Sequence, residues 1–262
     1  MLFNAYNGNI LNTDYIRFGT GEKTLIILPG LGDGLRTVKG TALPMAVMYR
    51  MFAKDYTVYV FSRREDVSQG CTTRDMARDL AEAMDALGII KADVLGVSMG
   101  GMIAQHLAID YPDKVEKLVL AVTCPKPNPI LEESLSEWVA LAKRGEHAAF
   151  MVSNLERIYS PKYCRQNRWM VPIVGKLTKP KSYDRFFVLA DACLHHEAEV
   201  ARIQSLTFVI GGEQDKALGG EASREMAEAI PNVRLHMYPQ WGHGLYEEAK
   251  DFNDLVLGFL KE

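Results

Sequence analysis

The 262-residue chain lacks any apolar run approaching the roughly 18 residues that cross a bilayer; its longest are Thr24 to Leu28 and Leu118 to Val122. It has no basic, apolar leader in Met1 to Tyr15 either, so a cytoplasmic protein with no membrane partner is expected. An excess of positive charge is also missing: 30 Lys and Arg stand against 33 Asp and Glu, a net charge of −3. Without a bulk positive field for a phosphate backbone, no nucleic-acid partner is expected. Cysteine is sparse. Cys71, Cys124, Cys164 and Cys193 are far apart, with no C-x-x-C and no metal-ligand spacing, which favours reduced thiols over disulfides or a metal centre. Repeats and low-complexity tracts are absent too.

What remains is ordinary globular composition, 48% hydrophobic and 24% charged, in an informative order. Asn7-Gly8 lies between Leu2 to Tyr6 and Asn9 to Phe18 and is the preferred two-residue hairpin turn, predicting an antiparallel pair. Six short β-rich runs follow: Thr24 to Leu28, Thr57 to Phe61, Asp93 to Val97, Lys117 to Val122, Leu206 to Ile210 and Val233 to Tyr238. Most are largely apolar rather than alternating, as in a parallel sheet covered on both faces. Helical patterns separate them. Met76, Leu80, Met84 and Leu87 make one apolar stripe, with Thr72 and Asp75 as a capping pair and Gly88 as the stop. Met99 to Asp110, Glu221 to Ile230 and Tyr246 to Leu260 read as further helices. This alternation predicts a doubly wound α/β sheet.

From Cys124 to about Glu199 the alternation stops. No strand pattern appears, Pro125, Pro127 and Pro129 mark the entry, and helical segments such as Leu131 to Lys143 dominate. The division expected is core at 1–123, a helical insertion over the sheet at 124–199, and core again at 200–262. Residues Arg157 to Arg185 hold eight basic side chains and the single acid Asp184, a solvated face or a bias toward anionic substrates.

Gly96-Val97-Ser98-Met99-Gly100 is a G-x-S-x-G pattern at a strand-to-helix turn, where serine is presented in a strained, exposed conformation. A serine hydroxyl needs a base to take its proton and a third group to orient that base. Among six histidines, His243 stands between Gly242 and Gly244 in the loop after the last strand and is the candidate base. His106, His147 and His236 are poorly placed, and His195 and His196 are candidates for lining the cleft. His195-His196-Glu197 lacks the H-E-x-x-H spacing of a zinc site. Asp215, beyond strand Leu206 to Ile210, is the candidate acid, with Glu213 as rival. An oxyanion needs backbone donors, for which the Leu31 and Met99 N–H groups are the candidates. Gly30-Leu31-Gly32 is not completed as a nucleotide loop, and no cofactor is implied. Trp138, Phe150, Trp169, Phe186 and Phe187 are candidates for an apolar pocket.

With the P-G-L-G loop, the serine turn, the insertion and the order Ser98, Asp215, His243, the sequence resembles the α/β-hydrolase family, closest to capped esterase-like and lactonase-like members. The resemblance implies an eight-stranded, mostly parallel sheet with a lid, and backbone donors at Leu31 and Met99. Pro29 stands where many relatives carry His, and Asp215 to Gly220 lacks a proline often found after the acid. The expectation is a serine hydrolase cleaving a small-molecule carboxylic ester, lactone or thioester. C–C hydrolysis, perhydrolysis, acyl transfer and a non-catalytic binder remain as alternatives, and the oligomeric state stays open.

Overall fold

The computed structural model describes residues 4–262. Eight strands form one sheet: β1 (Tyr6–Ile10), β2 (Thr13–Phe18), β3 (Lys23–Leu28), β4 (Tyr56–Arg64), β5 (Ala92–Val97), β6 (Val115–Ala121), β7 (Leu206–Gly212) and β8 (Val233–Tyr238). Their spatial order is β1-β2-β4-β3-β5-β6-β7-β8; β2 pairs antiparallel with β1 and β4, and every pairing from β4 onward is parallel. Around the sheet lie α1 (Ala42–Met48), α2 (Thr73–Ala86), α3 (Met99–Asp110), α4 (Pro129–Lys143), α5 (His147–Ile158), α6 (Pro161–Asn167), α7 (Val171–Thr178), α8 (Asp184–Leu194), α9 (Glu221–Ala229), α10 (Leu245–Glu248) and α11 (Phe252–Lys261). No described helix is long and apolar enough to cross a membrane.

The apolar strands follow from burial on both faces. In β3, Ile26 and Leu28 join the core under α2, α3 and α9, whereas Leu25 and Ile27 join the core under α1 and α11. In β6, Leu118 and Leu120 face the first core, and Val119 and Ala121 the second. Each residue of a two-sided strand meets a helix layer, so the period-2 signal disappears. The α2 boundary is set locally: Thr72 and Asp75 bond reciprocally as a capping box, and Gly88 supplies the left-handed residue beyond the helix.

Two expectations are corrected. The N-terminal hairpin turns at Leu11-Asn12, both with positive φ (48° and 59°), rather than at Asn7-Gly8. Gly8 lies inside β1 opposite Tyr15, whose ring crosses it so closely that a Cβ would sit 2.2 Å from Tyr15 Cζ. Asn7 is also engaged, its Oδ1 accepting the Gly40 N–H at 2.9 Å. Packing has claimed the preferred turn dipeptide. Leu2 and Phe3 of the predicted first strand lie outside the described residues. The other correction is the last helix, which is two: Ala249 adopts an extended ψ of 113° between α10 and α11. There the Tyr238 hydroxyl donates to Asp251 Oδ1 at 3.0 Å, and the Glu248 carboxylate is drawn toward Ser160.

Between β6 and β7 the chain forms α4 to α8 and no strand among its described residues, and helices α4, α5 and α8 contribute Leu131, Leu135, Trp138, Phe150, Phe186 and Leu189 to the core above α3.

Candidate active site

Ser98 caps α3 with φ 54° and ψ −122°, a left-handed conformation that a side chain tolerates only under constraint. The constraint is close packing on both sides. A Cβ on Gly96 would lie 2.6 Å from the Gly100 carbonyl oxygen, and one on Gly100 would lie 2.0 Å from that of Leu28. The two glycines let the turn close, and Ser98 N–H still bonds to Ala121 O at 2.9 Å. Its hydroxyl therefore projects from the carboxyl end of the sheet.

Two other strand ends bring partners there. His243, in the loop after β8, places Nε2 3.0 Å from Ser98 Oγ and Nδ1 2.8 Å from Asp215 Oδ2. Asp215, beyond β7, is fixed by accepting the Ala217 and Leu218 N–H groups on Oδ1, each at 2.9 Å. Asp215 and His243 are buried. This network favours the imidazole with its proton on Nδ1, leaving Nε2 to accept from the serine hydroxyl. Glu213, the rival acid, points away and pairs with Arg224.

The Leu31 N–H opens a 3₁₀ turn over Leu31–Gly34, and the Met99 N–H opens α3; neither has a partner among the described residues. Leu31, Ser98, Trp138, Phe150, Phe186 and His243 are among the residues lining a mostly apolar cavity of about 390 Å³. A smaller void joins Met99 to Leu31, Ser98 and His243. Trp169 is not part of the cavity, being 68% exposed, and Phe187 packs against the core instead. His195 is exposed and His196 is buried, its Nδ1 2.9 Å from Thr73 Oγ1 and its Nε2 3.2 Å from Gln105 Oε1; neither lines the cavity. Burial pulls His196 down to about 3 and also lowers its neighbour His106, so both rings stay neutral.

The basic stretch does not face the cavity. Arg157 pairs with Glu133 and Glu137, and Arg168 with Glu156, each at 2.8 Å. Among the described residues none of the eight lines the cavity wall.

Behind the Leu31 turn lies a cluster with no distinctive sequence signal. Asp33, on that turn, accepts Arg185 of α8 at 2.6 Å and the Arg63 backbone N–H at 3.0 Å. Arg185 also donates to the backbone carbonyls of Arg63 and Asp33, and the Arg63 guanidinium donates to that of Pro29. The Asp33 and Arg63 side chains are 1% and 2% exposed, with two cations facing one anion. Burial pulls the Arg63 guanidinium down, and its Nε has no hydrogen-bond partner. On the opposite side, the Gly244 N–H bonds to Ile158 O at 2.7 Å, Tyr159 Oη donates to Glu247 Oε2 at 2.8 Å, and Glu248 accepts Ser160 N–H and Oγ at 2.9 and 2.6 Å. The α4–α8 segment is thus bonded to the Leu31 turn at one end and to the His243 loop at the other.

Comparison with known proteins agrees with this architecture. The sequence profile of the alpha/beta hydrolase fold matches residues 23–250. The chain is 26% identical over 250 residues to RutD of Caulobacter sp. (strain K31), a proposed carbamate hydrolase, covering 91% of each. It is 28% identical over 252 residues to 2-hydroxymuconate semialdehyde hydrolase of Pseudomonas sp. (strain CF600), covering 91% of this chain and 87% of that one. Among solved structures, the enol-lactonase from Burkholderia xenovorans LB400 superposes with a TM-score of 0.81 at 21% identity, covering 98% of this chain and 100% of that one.

Proposed function

Because the chain belongs to the alpha/beta hydrolase fold family and is a hydrolase, we propose that Ser98, His243 and Asp215 are its nucleophile, base and orienting acid, acting on a small carboxylic ester or lactone. The observation that carries this reading is the pair of contacts at His243, 3.0 Å to Ser98 Oγ and 2.8 Å to Asp215 Oδ2, at the wall of an apolar cavity.

In this reading, His243 Nε2 takes the Ser98 proton as Oγ attacks the carbonyl carbon. The Leu31 and Met99 N–H groups hold the resulting oxyanion, and the amino end of α3 adds its positive potential. His243 then gives its proton to the departing alkoxide, leaving an acyl group on Ser98. Water, losing a proton to the same imidazole, releases the acid and restores the serine. Trp138, Phe150 and Phe186 exclude water from the acyl group, and residues 124–199 act as a cap over core segments 1–123 and 200–262.

Replacing Ser98 by alanine tests this directly. Turnover of p-nitrophenyl esters falls by up to ~10⁶ in kcat if the three residues act as a unit, with the fold intact by circular dichroism. A variant retaining near-normal turnover overturns the assignment.

A second reading, cleavage of a C–C bond next to a ketone, is favoured by relatives named 2-hydroxymuconate semialdehyde hydrolase and 2-hydroxy-6-oxo-6-phenylhexa-2,4-dienoate hydrolase. Comparing kcat/KM for a short ester and for a 2-hydroxy-6-oxo-dienoate separates the two.

A further inference from the structure

We propose that Glu247 sets the charge preference of the cavity, admitting neutral and cationic substrate groups and turning away those that carry a carboxylate. The proposal rests on the hydrolase site described above and adds a substrate class to it.

The cavity wall is mainly apolar, and among the described residues three charged ones line it besides His243: Asp33, Arg36 and Glu247. They are not equivalent. Asp33 is buried behind the wall and engaged by Arg185 and Arg63, so it presents no free charge. Arg36 is exposed, as Glu247 is, but has no side-chain partner among the described residues to hold its charge against the wall. Glu247 stands four residues beyond His243, on the cavity wall, with Oε2 2.8 Å from the Tyr159 hydroxyl. Its backbone is fixed by donation to Gly244 O at 3.0 Å. Tyr159 is held in turn by stacking on Tyr163, ring centroids 4.3 Å apart. Solvent reaches the Glu247 side chain, yet the surrounding walls withdraw enough water to push its carboxyl above the usual carboxylate range. A charge held by a partner at a concave apolar wall projects its field into the cavity more strongly than one that nothing holds there.

Direct compensation for a substrate carboxylate is missing on that side. Arg185, bonded to the Leu31 turn from the α4–α8 segment, is engaged by Asp33, and among the described residues no lysine lines the cavity. An anionic acyl group seated beside Ser98 therefore meets Glu247 on the cavity wall, the Arg63 and Arg185 guanidinium groups lying behind that wall and turned to Asp33.

The test compares three p-nitrophenyl esters of matched length at pH 8: butyrate, hemisuccinate and 4-(trimethylammonio)butyrate. The wild-type enzyme is expected to show kcat/KM for hemisuccinate at least about tenfold below that for butyrate, and Glu247→Gln to raise that ratio about tenfold while lowering the ratio for the cationic ester. Tyr159→Phe, which keeps the charge but removes the hydroxyl that holds it, should narrow the differences among the three substrates without reversing their order. Equal ratios in wild type and Glu247→Gln, or a wild-type preference for hemisuccinate, overturn the proposal. Calorimetric binding of butyramide, succinamate and 4-(trimethylammonio)butyramide to Ser98→Ala reads the same preference without turnover. Failure of Ser98 as nucleophile is thereby distinguished from failure of Glu247 as selector. Binding of succinamate as tight as that of butyramide contradicts the assignment.

Discussion

The Asp33 cluster offers a perturbation whose size follows from burial. Among the described residues, Asp33 is the carboxylate that ion-pairs with both Arg63 and Arg185, at side-chain exposures of 1%, 2% and 16%. Asp33→Ala leaves two buried cations uncompensated and the Arg63 N–H without its acceptor. Removing one partner from such a buried arrangement costs about 3–5 kcal/mol. Arg185→Met alone is milder, about 2–3 kcal/mol, because Asp33 keeps the Arg63 N–H. In the double variant the repulsion between the two cations is gone, so the combined loss should fall short of the sum by about 1.5–3 kcal/mol. Urea denaturation followed by tryptophan fluorescence gives the four stabilities, provided the slope with denaturant is unchanged. Because Asp33 lies two residues from Leu31, a displacement of about 1 Å there should also lower kcat by up to ~10²-fold. Strict additivity, within about 0.5 kcal/mol, would refute a shared electrostatic cluster.

Three shorter predictions follow from the same structure. Gly100→Ala drives a Cβ to 2.0 Å from the Leu28 carbonyl oxygen, so it should destabilise the fold by about 3 kcal/mol or more, read as a lowered Tm. His196, pulled down to about 3 inside the protein against 6.5 in the unfolded chain, makes the unfolded state the better proton binder below pH 6.5. Stability should then fall on acidification by up to about 1.4 kcal/mol per pH unit, and His196→Gln should flatten the dependence; unchanged pH profiles of the urea midpoint would contradict it. Leu31→Ala should keep most ester turnover, because the proposed donor is backbone; a loss as large as that of Ser98→Ala would assign the effect to the side chain.

How far the sequence could be read depended on whether a feature was local. The α2 stripe, its Thr72–Asp75 cap and the helix after Ser98 were legible because each is written within one or two turns. The three residues that meet beside the cavity were legible as residues just beyond β5, β7 and β8, since parallel topology brings all those ends to one edge. Asn7-Gly8 misled because the competing influence, the ring of Tyr15, lies on the partner strand. Arg63 escaped because the apolar run ends at Phe61 while β4 continues to Arg64, carrying a charge into the interior. The partner residues Asp33 and Arg185 are separated by 152 positions, and no spacing rule links them. The basic run from Arg157 to Arg185 looked unbalanced only because several of its acids, Glu133, Glu137, Glu156 and Asp33, are spread over other turns and elements. Glu247, an ordinary helix residue in sequence, acquires its position from Tyr159 of the α4–α8 segment.

The most direct measurement is covalent: incubate the protein with a fluorophosphonate, digest it and locate the adduct by mass spectrometry. A single phosphonyl group on Ser98, absent from Ser98→Ala and strongly slowed in His243→Ala, is the predicted result. An unmodified Ser98 in folded protein, or an adduct on another residue, would contradict the account.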